Sequence, residues 1–168
     1  MNNPFLIHSL RFISLLLLQV VICNSINFLG YINPYPYIIF ILLFPIRDNR
    51  LTLLTISFIL GMLIDIFSDS GGVHAAAAVS LAYSRPVLLK TSFGMLYEHQ
   101  SIKFNLTEIG SLITYITLGA LIHHLVLFSL EVFSISEILL ILKKTLFSCI
   151  FTIVLSILII VLFSRNQR

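Results

Sequence analysis

The chain has 168 residues, 58% of them hydrophobic and only 10% charged, with a mean hydropathy of +1.06 and a formal net charge of +3. Soluble domains carry about 25% charged residues, so 10 basic and 7 acidic side chains are too few to clothe a water-facing surface. Disorder needs a polar, charged chain and is excluded, and a water-soluble enzyme nearly so. What remains is an all-α integral membrane protein whose spans each need about 20 apolar residues.

In chain order, Arg11 precedes an apolar run that ends at Cys23. The exit, Asn24-Ser25-Ile26-Asn27, has no small-x-small cleavage site. Ile22 before Cys23 is too bulky for a lipoprotein site. The run is therefore expected to stay as an uncleaved first span over residues 12–29. Asn33-Pro34-Tyr35-Pro36-Tyr37 suits an interfacial turn, since proline stops and starts helices and tyrosine prefers headgroup depth. The next apolar piece, 35–46, lies between Pro34 and Pro45. As a straight helix it would reach roughly 18 Å, short of a hydrocarbon core of about 30 Å. It reads either as part of a kinked crossing or as a re-entrant half-span, giving six spans or five. A charged loop from Arg47 to Arg50 closes it.

Residues 51–67 form the third predicted span, with Asp65 near its end, then Asp69 and a Gly71-Gly72 turn. The fourth, 73–89, opens with His74 and the run Ala75 to Ala78, followed by Ser80 and Ala82. Small residues let helices approach closely in lipid, where packing drives association. With Ser57 and Gly61 four apart, spans three and four are expected to form a tight antiparallel hairpin. Arg85 to Glu108 reads as an interfacial amphipathic segment. The fifth span, 109–130, contains His123-His124. The sixth, 138–163, carries Lys143-Lys144 early, and a short basic tail follows. The whole chain, 1–168, reads as one transmembrane domain. With six crossings, Arg11, Arg47, Arg50, Arg85, Lys90, Lys103, Arg165 and Arg168 share one face, against Lys143 and Lys144 on the other. The positive-inside rule makes the first face cytoplasmic, with both termini there.

Chemical motifs are sparse. Cys23 and Cys149 sit in apolar runs without metal-ligand spacing and read as buried hydrophobes. Phosphate loops, zinc spacings and hydrolase signatures are absent, and no basic block suggests nucleic acid. No cofactor is expected. An ionisable residue inside a span is a functional hypothesis by default, which singles out Asp65. It lies near the outer end of its helix, where water is expected within reach. Asp65, Asp69 and His74 could be drawn as a two-carboxylate, one-histidine metal site. The simpler reading makes Asp65 a structural or partner-contacting group and Asp69 a solvated turn residue. Adjacent histidines point about 100° apart on a helix, so His123 and His124 do not easily serve one ligand site, and one of them is expected to make an interhelical hydrogen bond. Arg85-Pro86 and Arg47 to Arg50 read first as topology markers, with binding of anionic lipid heads as the alternative. Lys143 and Lys144 snorkel to headgroups or neutralise Glu131 or Glu137.

Several of these features together resemble the rod shape-determining protein MreD family, in the form seen in Bacteroidetes-like bacteria. They are the chain length, the six apolar segments, Asn33-Pro34-Tyr35-Pro36 before a short piece ending in Pro45, and Gly61-Met62-Leu63-Ile64-Asp65. Gly71-Gly72-Val73-His74-Ala75, then Arg85-Pro86 and the His123-His124 span, complete the pattern. The resemblance covers nearly the whole chain, and the Gly-x-x-x-Asp step before a small-residue helix is its most characteristic part. It implies a multi-pass protein of the bacterial inner membrane, without catalytic activity, that maintains rod cell shape. The implied partners are MreC and the elongation complex with MreB, RodA and a penicillin-binding transpeptidase, which builds lateral peptidoglycan. It also implies a fold similar to the substrate-binding subunits of energy-coupling-factor vitamin transporters, and such a subunit is the rival reading. On the family reading, Ser57, Gly61, Ala75, Ala78 and Ala82 pack internally or receive a partner's helix. Asp65, Asp69 and His74 would fix the register of that contact from the periplasmic end.

Overall fold

The computed structural model describes residues 4–28, 30, 32–46, 49–98, 102, 104 and 107–165. Arg47, Asp48, His99, Lys103 and Arg168 of the sequence reading lie outside them. Among the described residues the chain is helical, its β-pairing a single isolated bridge between Phe28 and Ile32. Seven α-helices follow in order: α1 (Pro4–Leu17), α2 (Ile38–Leu42), α3 (Arg50–Ser68), α4 (Val73–Phe93), α5 (Met95–Glu98), α6 (Ile109–Val132) and α7 (Ile138–Arg165). Four stretches are long and apolar enough to cross a membrane: Leu6–Ser25, Arg50–Ser68, Ile109–Val132 and Ile138–Ile160. Large apolar side chains remain exposed along them, including Leu6, Leu10, Phe58, Ile66 and Leu139. Exposed apolar faces of this extent mark a surface made for lipid or protein rather than water, and the chain is a multi-pass helical membrane protein.

The first predicted span is shifted. Helix begins at Pro4, so Arg11 lies inside α1 and not before it, and the helical path continues through a π-turn (Leu18–Ile22) and a 3₁₀ turn (Cys23–Ser25). A π-turn adds a residue to one helical turn and re-aims its side chains. Here Gln19 is turned inward and fully buried, its Nε2 donating to Asn24 Oδ1 (2.8 Å) and to the Pro34 carbonyl (3.3 Å). Asn24 in turn donates to Ser68 Oγ at 2.7 Å, tying the 3₁₀ turn to the end of α3.

The 35–46 piece is corrected in detail. Only Ile38–Leu42 is α-helix, and the chain before it is irregular. The segment runs back along α1: Pro34 meets Gln19, Phe40 stacks edge-on with Phe12 (5.3 Å), and Phe44 lies by His8 (6.1 Å). Every side chain from Tyr35 to Leu42 that the bundle surrounds is buried, and Tyr37 and Ile38 are completely so. Tyr35 and Tyr37 are therefore core residues, not headgroup anchors.

The other helices match the sequence reading closely. Asn49 caps α3, its side chain accepting from Leu51 N–H at 3.0 Å. The turn to α4 uses Asp69, Gly71 and Gly72 at positive φ (51°, 66° and 97°), the region where glycine is unstrained. α4 runs to Phe93, so Arg85 and Lys90 are helical rather than the start of an interfacial segment. α6 and α7 form a second antiparallel pair, joined by the Lys144–Glu131 ion pair (2.7 Å). Arg11, Arg50, Arg85 and Lys90 fall toward one end of the bundle, Lys143 and Lys144 toward the other.

Candidate functional site

Gly61 sets the geometry of the α3–α4 hairpin. A Cβ at this position would stand 2.4 Å from Ala75 Cα and 2.7 Å from both Ala75 N and the His74 carbonyl oxygen. The backbones touch there, and no larger residue fits. Ser57 is fully buried on the same side of α3, and Ala75, Ala78 and Ala82 are buried on α4. All five are buried, and at Gly61 and Ala75 the packing between α3 and α4 is direct.

One turn further along α3, Asp65 reaches across the same contact. Its Oδ1 accepts the His74 N–H (2.9 Å) and the Ser70 hydroxyl (2.5 Å), and its Oδ2 accepts the Ala75 N–H (2.9 Å). The first turn of a helix leaves its N–H groups without intrahelical partners. Gly72, at the N-cap of α4, has no side chain to satisfy them. Asp65 does so from another helix, and its negative charge sits at the positive end of the α4 dipole. Asp65 is buried, only 5% exposed, with both carboxylate oxygens taken up by these donors. Asp69 does not join it. That residue is the exposed left-handed C-cap of α3, its N–H bonding back to the Asp65 carbonyl. Among the described residues no group of three His, Cys, Asp or Glu side chains could hold a metal ion, so the drawn Asp65–Asp69–His74 site does not form.

His74 instead begins a buried chain of hydrogen bonds with residues the sequence reading had not joined to it. Its Nδ1 lies 3.2 Å from Tyr37 Oη, which lies 2.5 Å from His123 Nε2. His123 Nδ1 is 3.4 Å from His124 Nδ1, and His124 Nε2 is 3.0 Å from Thr152 Oγ1. For neutral imidazoles the acceptors fix the protons. His124 Nδ1 is 2.7 Å from the Ala120 carbonyl, which can only accept, so that nitrogen carries hydrogen. Thr152 Oγ1 accepts the Tyr35 N–H (2.9 Å) and donates to His124 Nε2. His123 Nδ1 faces a proton and is bare, which leaves its own on Nε2, donated to Tyr37. The Tyr37 hydroxyl then donates to His74 Nδ1. All the bonds point one way, from α7 through α6 and the irregular segment to α4. The Tyr35 ring packs against His74, His123 and His124 at 5.5, 6.1 and 5.3 Å. His124 thus makes the interhelical bond expected of one of the pair, to Thr152 on α7, while His123 bonds to Tyr37 of the irregular segment.

Arg85 anchors the other end of the same segment. It is 4% exposed, far from a surface topology marker. Its Nε donates to the Leu42 carbonyl (3.3 Å) and Tyr115 Oη (3.1 Å), its Nη2 to the Phe44 carbonyl, and Tyr115 Oη donates to the Leu42 carbonyl (2.9 Å). A helix of five residues has carbonyls without partners at its C-terminus, where a cation is favoured. Arg85 supplies the donors and the charge together.

No family model, curated protein or solved structure matches the chain. The site's chemistry therefore rests on its own geometry. One end of the bundle is closed by a carboxylate on a helix N-terminus and the other by a guanidinium on a helix C-terminus, with a neutral histidine–tyrosine chain between. One signal of this was visible beforehand. Thr145, Ser148, Thr152 and Ser156 recur at three- and four-residue spacing on α7 and are all buried, a polar stripe that an apolar span carries only where it faces protein.

Proposed function

We propose that this chain is a non-catalytic scaffold of the bacterial inner membrane, of the MreD kind, which holds MreC and organises the elongation complex with MreB, RodA and a penicillin-binding transpeptidase. The observation that carries the reading is the unit formed by Gly61, Asp65, His74 and Ala75. The residues on which the resemblance rests are the ones that lock α3 to α4. A second support is that Tyr37, His123 and His124 are fully buried and bonded to one another. Groups so arranged serve rigidity, whereas the rival vitamin-binding subunit needs polar side chains turned into an open cavity.

On this reading the irregular segment and α2 make a broken crossing beside α1, and α4 crosses as a buried, alanine-rich helix, giving six passages. The end bearing Arg11, Arg50, Arg85 and Lys90 is cytoplasmic, as are both termini. With Ser57, Gly61, Ala75, Ala78 and Ala82 buried inside the bundle, MreC meets an exposed apolar face rather than these residues. Asp65 and His74 act through the hairpin they hold. The test is affinity purification of the tagged chain from its own membranes with MreC quantified. The wild type is expected to retain MreC and the Asp65→Ala variant to lose most of it. Intact, folded protein carrying no MreC, or saturable stabilisation by a vitamin, would overturn the reading.

A further inference from the structure

At the Arg85 end of the bundle a groove of about 460 Å³ opens between α1, the 39–44 segment and the second half of α7. Leu15, Leu18, Phe40, Leu43 and Ile159 make its apolar walls, and His8, Arg11 and Ser14 its polar edge. Arg11 lies within the Leu6–Ser25 stretch that is long and apolar enough to cross a membrane. A guanidinium at that depth needs an anion or a route to the interface. The described residues offer it neither ion pair nor hydrogen bond, and no carboxylate lines the groove. Residues 1–10 and 158–168 contain no Asp or Glu, while 165 and 168 add two further arginines to the sequence. The site thus joins an apolar trough of acyl-chain character to a cation with no counter-charge among the described residues.

We propose that this groove binds an anionic phospholipid, with an acyl chain along Leu15, Phe40 and Ile159 and the headgroup phosphate on Arg11 and His8. The complementarity is in the charge and the amphipathic layout: apolar walls suit any lipid, but the unmatched arginine selects the anionic one. Basic pockets between helices at the cytoplasmic side are the usual setting for such headgroups. Arginine pairs with phosphate through its forked donors, and His8 adds a donor on the same edge.

The test uses the full chain in detergent, titrated with phosphatidylglycerol, phosphatidylcholine, inorganic phosphate or a hydrophobic single-span peptide, followed by native mass spectrometry. Phosphatidylglycerol is expected to be retained on the order of tenfold over phosphatidylcholine. Arg11→Gln should abolish that preference and Arg11→Lys keep part of it. Ser14→Phe, which fills the groove, should release both lipids. Equal retention of the two lipids by the wild type would overturn the proposal whether or not any variant folds. So would displacement of the lipid by inorganic phosphate alone, or preferential occupation of the groove by the peptide.

Discussion

The α3–α4 contact and the α1–α7 face are opposites within one bundle. At Gly61 the two backbones leave no room for a single Cβ, while between α1 and α7 there is space of about 460 Å³. The first contact is sealed by a buried carboxylate with three donors. The second is edged by a guanidinium without a counter-charge among the described residues. In lipid the hydrophobic effect does not press helices together, so close packing and satisfied polar groups decide which contacts are fixed. By that measure α3–α4 is the rigid element and α1–α7 the adaptable one.

The largest effect is expected at Gly61. Gly61→Leu puts side-chain atoms where Ala75 Cα stands, and should cost more than about 4 kcal/mol, the range reserved for severe overpacking. The check is loss of the monodisperse folded peak in detergent chromatography, with Gly61→Ala a milder version of the same defect. Next is Asp65→Ala, which strands the His74 and Ala75 N–H groups and the Ser70 hydroxyl. At about 1–3 kcal/mol for a buried group left unsatisfied, the variant should unfold several degrees lower in a thermal melt. Asp65→Asn, which keeps acceptor oxygen at one position, should fall between. Tyr37→Phe removes the one hydroxyl that links His74 to His123 and is expected to cost about 1–2 kcal/mol, read in the same melt. Pairing it with His123→Phe should give less than the sum, since both break one chain. The smallest effect is expected at Asn49→Ala, which removes an exposed N-cap worth about 1 kcal/mol. A result in which Asn49→Ala outweighs Asp65→Ala would show that the cap of α3, and not the carboxylate bridge to α4, holds the hairpin.

The sequence was most informative where backbone hydrogen bonding constrains the chain most. A lipid-facing segment satisfies its own backbone only as helix, so the apolar runs 51–67, 73–89, 109–130 and 138–163 were read close to α3, α4, α6 and α7. The segment at 35–46 escaped that logic because protein surrounds it. Its backbone is satisfied by Thr152, Gln19, Arg85 and Tyr115, from four other helical elements. Hydropathy records none of those partners. Arg85 was misplaced for the same reason: an arginine in an apolar run is assigned to the interface unless its carbonyl acceptors, more than 40 residues away, are known. Asp65 was singled out by its rarity, but its acceptor role became visible only when the N-terminus of α4 was placed against it. The small residues were read as a close-packing face, and that much needed no tertiary knowledge.

The central claim is that the hairpin locked by Gly61 and Asp65 makes a scaffold for MreC. The most direct measurement is the amount of MreC recovered with the tagged chain from its own membranes, wild type beside Asp65→Ala, with folded protein equalised. The account predicts MreC with the wild type and a severalfold loss with the variant. Folded wild-type protein without MreC, or equal recovery from both, would contradict it.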